Sequence, residues 1–126
     1  MSNAANGLIK TFKQGDTSLT KYRIVKVGTN ADEVVAATAN TDVMFGVTNE
    51  SADATTGNPV GVYMDGVVKL TIASASTKGG YITATTGGKG VLTTTNLQKY
   101  VGILLETTTA SDQVAQVLLC PGQMSV

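Results

Sequence analysis

Two glutamates hold matching places in this sequence. Glu50 closes the run Met44-Phe45-Gly46-Val47-Thr48-Asn49-Glu50, and Glu106 closes Tyr100-Val101-Gly102-Ile103-Leu104-Leu105-Glu106. A pair of carboxylates is the machinery of glycoside hydrolysis, one as acid and one as base or nucleophile. Here each acid merely ends an apolar run, so the pair reads as two strand ends. The 126 residues include no histidine, which removes Ser-His-Asp and Cys-His catalysis and most transition-metal sites. Cys120 is the single cysteine, set in Val117-Leu118-Leu119-Cys120-Pro121-Gly122 with nothing nearby to stabilise a thiolate. It reads as a small apolar residue near the end of a buried strand. The stretch TTGGKGVL at 85–92 lacks the spacing of a phosphate loop and runs on into β-like sequence, which makes it a hairpin turn. Asp32, Asp42, Asp53, Asp65 and Asp112 fit no calcium-loop spacing and read as turn and cap residues. Asn49-Glu50-Ser51 matches a glycosylation sequon by pattern only. These residues predict no catalytic group, no metal site, no cofactor and no small-molecule substrate.

The elements that would carry these residues are strands. Charged residues are 14% of the chain, against roughly 25% in an ordinary globular protein, and nine basic residues balance nine acidic ones. A neutral, charge-poor surface exerts no long-range pull on nucleic acid or anionic membrane, and it opposes self-association weakly. The local basic density of Lys10, Lys13, Lys21, Arg23 and Lys26 reads as a solvated strand face with an arm before it. No segment approaches the ~18 apolar residues of a membrane-spanning helix, and MSNAANGLIK at 1–10 has no secretory pattern.

Short apolar runs punctuated by Gly, Asn, Asp, Thr and Ser predict strands at 22–27, 34–39, 43–48, 60–65, 67–73, 80–85, 90–95, 100–106 and 114–120. YRIVKV at 22–27 alternates, with Ile24 and Val25 on opposite faces. Single helical turns are conceivable in 40–46 and 94–102. Residues 1–20 show scattered apolar anchors and no clear alternation. They predict an extended N-terminal arm ahead of a domain spanning 21–126.

A shift of 56 positions superposes Gly46 on Gly102, Glu50 on Glu106 and Gly66 on Gly122, with Phe45 on Val101 and Val47 on Ile103. Each half then runs hairpin, glycine-centred strand, loop, strand and glycine turn. The expected fold is all-β: a compact small β-barrel or β-sandwich, with two similar β-meander halves as one form of it. Glycine inside a strand marks a bulge or a close backbone approach, so Gly46 and Gly102 are read as structural, with Gly66 and Gly122 as turn glycines.

The ordered segments YRIVKVG, VVAATANTDVMFGVTNE, VGVYMDGVVKLTIAS, GGYITATTGGKGVL, YVGILLE and VAQVLLCPG carry a family likeness, from about Tyr22 to Gly122. In their order and spacing the chain resembles the tailed-phage capsid decoration, or cement, proteins. The resemblance implies a non-enzymatic protein on the exterior of the phage head, made in the host cytoplasm. It implies binding to the major capsid protein, stabilisation of the shell against internal DNA pressure, and a homotrimer. The family offers no catalytic motif to carry over. The arm is the expected capsid- or neighbour-contacting segment, with Leu8, Ile9, Lys10, Phe12, Lys13 and Leu19 as its anchors. The alternative is a small β-barrel adhesin or glycan-binding module, against which stands the absence of tryptophan.

Overall fold

Ten strands account for nearly all the regular structure of the described residues, 8–15, 19–49 and 57–125 of a computed structural model. They are β1 (Ile9–Gln14), β2 (Ile24–Val27), β3 (Glu33–Ala36), β4 (Met44–Thr48), β5 (Pro59–Tyr63), β6 (Gly66–Ile72), β7 (Tyr81–Thr85), β8 (Lys89–Thr93), β9 (Lys99–Leu104) and β10 (Gln113–Gln123). Each of the nine runs expected from composition and alternation is a strand. The all-β expectation holds, and the form it takes is the barrel.

The strands close two five-stranded barrels, ordered β1-β3-β2-β4-β5 and β10-β6-β8-β7-β9. Read from β6, the second ring runs β6-β8-β7-β9-β10, the first ring with every number raised by five. Each ring holds one parallel pair, β1 with β3 and β6 with β8, while its other neighbours are antiparallel. The 56-residue echo is therefore a repeat of whole barrels, one strand longer than the sequence suggests. The β7–β8 connection is a hairpin through a 3-10 turn at Thr86–Gly88, and the stretches 40–46 and 94–102 form no helix.

The extra strand is β1, and it corrects the arm. Ile9–Gln14 pairs antiparallel with β5 from Ile9↔Tyr63 to Lys13↔Pro59, and parallel with β3 at Lys13↔Glu33 and Gln14↔Val34. Residues 9–14 thus close the first barrel, and Leu19, expected on the arm, is 3% exposed in its core. The alternation is masked because Gln14 occupies an inward position. That side chain is fully buried and its carbonyl accepts the Leu19 N–H at 2.9 Å, so a polar residue fills a core site. Residues 1–7 and 16–18 lie outside the described residues.

Two apolar clusters hold the halves. Leu19, Val25, Val34, Val60 and Val62 fill the first barrel, with Phe12 and Phe45 edge-to-face at 5.5 Å. The larger cluster joins Ile24, Ala37, Met44 and Val47 of the first half to the interior of the second, including Leu70, Ile72, Ile82, Leu104 and Val117. The start of β2 and most of β4 are consequently buried on both faces, and Ile24 and Val25 are each at 0% exposure. Hydrogen bonds seal the joint: Thr71 N–H to the Tyr22 carbonyl at 2.9 Å, Lys99 N–H to the Asn40 carbonyl at 2.8 Å, and the Arg23 guanidinium to the Gly87 carbonyl at 3.2 Å.

The central glycines of β4 and β9 sit where a neighbouring backbone comes closest. A Cβ on Gly46 would lie 2.5 Å from the Tyr63 carbonyl oxygen, and one on Gly102 would overlap the Leu118 carbonyl. Register shifts flank both, between Val25 and Lys26 opposite Gly46, and between Leu119 and Gly122 opposite Gly102. The paired strands come close at these points because no side chain stands in the way. Gly66 opens β6 at a φ of 86°, whereas Gly122 lies within β10 against the Tyr100 ring rather than in a turn.

Candidate partner-binding surfaces

Of the six residues expected on the arm, four are exposed and two are not. Leu8 and Ile9 are 56% and 45% exposed, and Lys10 and Lys13 are exposed as well. Backbone bonds fix the strand's start, with Leu8 N–H donating to the Asp65 carboxylate at 2.6 Å and Met64 N–H to the Leu8 carbonyl at 2.8 Å. Lys10 reaches Asp32 at 3.3 Å and lies 4.6 Å from the centre of the Phe12 ring. Phe12 itself turns inward and is half-buried, so it anchors the barrel. A shallow depression of about 330 Å³ brings together Lys10, Thr11, Phe12, Lys13, Asp32 and Pro59. Leu19 belongs to the core and takes no part in this surface.

A second surface was not anticipated. Across the outside of the second barrel, register aligns Val67, Leu118, Ile103 and Tyr81 on four neighbouring strands. Leu118 and Tyr81 are 38% and 36% exposed, and Val67 and Ile103 are half-exposed. Tyr100 packs on Tyr81 with ring centres 4.4 Å apart. Val43, 67% exposed, lies by Tyr100 along a neighbouring depression. The signal for this row was in the repeat, since the offset of 56 carries Met44 and Val47 onto Tyr100 and Ile103.

The polar groups do structural work. Glu106 accepts the Gln116 N–H at 2.7 Å and ties the end of β9 to β10, while Glu50 lies outside the described residues. Glu33 is held below its ordinary 4.5 by the Asn30 side-chain amide and by the Asn30 and Thr29 backbone N–H groups, which outweigh desolvation. Burial pushes Asp42 upward, but the Thr38 and Ala39 N–H groups and Lys26 at 3.2 Å together bring it below its ordinary value. Burial alone raises the Cys120 thiol, which disfavours the reactive thiolate. Among the described residues, no three His, Cys, Asp or Glu side chains gather where they could hold a metal ion. What the geometry offers a partner is sheet surface.

The sequence profile of the phage cement proteins matches residues 5–119, a span that includes β1 and nearly all of both barrels. The chain belongs to the phage cement protein family. Among solved structures, this cement-family chain is similar to the head fiber gp8.5 N base in bacteriophage phi29, with a TM-score of 0.72. At 17% identity over 94% of this chain and 98% of that one, the likeness shows a shared fold. No curated protein matches the cement-family chain.

Proposed function

We propose that this protein binds the outside of the phage head, on the major capsid protein, and stabilises the shell without catalysing a reaction. The observation that carries this reading is the cement-family match over residues 5–119. The similar solved structure, a phage head fiber base, supports a place on the head. The contact surface assigned here is made by the exposed side chains of β1 and by Leu8 just before it. Ile9 and Leu8 offer apolar area, and Lys13 offers a cation to acidic groups on the shell, although an exposed pair contributes only about 1 kcal/mol or less. The working unit is a homotrimer located on the virion exterior, and zero net charge permits its close packing.

Heads assembled without the protein provide the test. Added protein is expected to co-sediment with them and to raise the temperature at which they release DNA. The double substitution Ile9→Glu, Lys13→Glu is expected to weaken co-sedimentation and leave the free protein's Tm unchanged. Wild-type protein that stays in the supernatant would overturn the proposal.

A further inference from the structure

We infer that the cleft between the two barrels takes an extended segment of the shell protein, which adds as a strand along the open edge of β6 at Val67 and Lys69. The inference rests on the head-binding reading above and names what the shell contributes to it.

The edge is open because β6 has little to pair with on one side. It is bound along its length to β10, from Gly66↔Leu119 to Ile72↔Gln113, but meets β8 only at Ile72↔Gly90. In an antiparallel pair the backbone groups of successive residues point to alternate sides of the strand. Gln116 uses its N–H and carbonyl on the β9 side, for the Glu106 carboxylate and the Leu105 N–H. Its neighbours Val117 and Leu119 therefore bond β6, and their partners there are Val68 and Gly66. Val67, Lys69 and Thr71 are left to aim their N–H and carbonyl groups away from β10. Thr71 N–H agrees, reaching the Tyr22 carbonyl at 2.9 Å and closing the far end of the edge. Val67 and Lys69 have no backbone partner on that side among the described residues.

The space beside this edge suits a polypeptide. A cleft of about 420 Å³ lies between Val67–Lys69 and the first-barrel residues Tyr22, Asn49 and Tyr63. Val68 points its side chain into the core at 4% exposure, so it lines the cleft with backbone. On the opposite wall Asn49 holds a buried Oδ1 with no hydrogen-bond partner, and turning the amide offers that acceptor to an incoming N–H. Lys69 is exposed and is the cleft's one charged side chain among the described residues, so the segment that fits carries a carboxylate. Strand addition of this kind draws affinity from main-chain bonds and specificity from alternate side chains.

The shell is the source because the cleft continues the contact surface already assigned. Leu8 is bonded to Met64 and Asp65, immediately before β6. The cross-strand row Ile9–Tyr63–Val47–Ile24 starts on that surface, and its Tyr63 lines the cleft. In the second barrel the same row is Val67–Leu118–Ile103–Tyr81, so Val67 at the cleft holds the place of Ile9. A segment that meets Leu8 and Ile9 reaches Val67 by passing Asp65 and Gly66.

Amide exchange tests the edge first in the free protein. Val67 and Lys69 are expected to exchange fast, while Val68 and Leu70 in the β6–β10 ladder stay protected. Slow exchange at Val67 and Lys69 would mean that the edge is already paired, and would overturn the inference. On decorated heads, mass spectrometry of the 66–72 segment is expected to show those two amides newly protected. Co-sedimentation with heads then separates backbone from charge. Lys69→Ala keeps the N–H and is expected to weaken binding about 2–5-fold. Lys69→Pro also removes the outward N–H, leaves the β10 ladder intact, and is expected to weaken binding roughly 10-fold further. Where Lys69→Pro lowers the free protein's Tm, Val67→Pro against Val67→Ala makes the same comparison. Heads that bind the protein while both amides exchange as in the free chain overturn this inference and leave the head-binding reading standing. So does a proline variant that binds as well as its alanine counterpart. A chain that never sediments with heads fails the head-binding reading itself, and the inference with it.

Discussion

The two barrels have one topology and different obligations. The first is buried on its β2–β4 face by the second, whereas the second leaves Tyr81 and part of Ile103 open on its β7–β9 face. The first is closed by a strand with a glutamine in its core, the second by β6, which places Val68, Leu70 and Ile72 there. Turn chemistry diverges as well. Glu33 gathers the Thr29 and Asn30 amides in the first barrel, and the equivalent Lys89 instead pairs with Asp112 at 2.9 Å. A repeated fold has thus been divided into a half that is held and a half that is presented.

The sharpest way to break this comparison is to remove β1. Deleting residues 9–14 opens the first barrel, strips Val60 and Val62 of cover, and is expected to cost most of that half's stability. Amide exchange should then lose protection throughout β2–β5. If those strands stay protected, β1 is dispensable after all, and the arm reading returns.

A matched pair of truncations sharpens it further. Ile24→Ala is expected to destabilise by about 2–5 kcal/mol, as for a fully buried aliphatic. Tyr81→Ala at the equivalent position is expected to cost under about 1 kcal/mol in the monomer. Urea denaturation of both variants measures the difference, and equal losses would show that the second row is covered in solution.

The central glycines test what the halves share. Gly46→Val and Gly102→Val are each expected to cost on the order of 1–3 kcal/mol through strain and overpacking, read as a lower denaturation midpoint. An unchanged midpoint in either would mean that its barrel does not need the close approach.

The smallest effect is in acid. The folded pKa of Glu33 lies below its ordinary value, so its contribution is present above about 4.5 and is lost as pH falls through the lower folded value. Amide exchange at Thr29 and Asn30 should quicken in that window and stay unchanged in Glu33→Gln. The β7–β8 turn, with Lys89 at the matching position, should show no such dependence on residue 33.

Strands were legible wherever Val, Ile and Leu alternated or ran together, and so nine of the ten were expected. β1 was hidden because Lys10 and Gln14 occupy two of its three inward-parity positions, leaving Phe12 as the lone apolar cue. The 56-residue offset run backwards from β6 would have found it, since Gly66–Ile72 falls on residues 10–16. The turn at TTGGKG was legible from its glycines. The open row was not, because period-2 alternation says which residues share a face, not what covers it. Ile24 and Tyr81 look alike in sequence, and only the packing of one barrel on the other separates them. Among the proposed contact residues, Leu8, Ile9, Lys10 and Lys13 are surface residues, while Phe12 and Leu19 were apolar for the core's sake.

The pairing of β1 with β5 carries a consequence for synthesis. On the ribosome β1 has only its short parallel pairing with β3 until Pro59–Tyr63 has followed it, and β6 has only its pairing with β8 until β10 arrives. Each barrel therefore closes only when its last strand arrives, a high-contact-order event. The first barrel can close some 60 residues before β10 is complete, about 3–12 s at typical elongation rates. Throughout that interval Ile24, Met44 and Val47 face water on a nascent chain, with their cover still being translated. Polysomes crowd such chains together, each carrying the same bare surface. Slowing translation across 64–123 would lengthen the exposure, and aggregation during expression should rise with it.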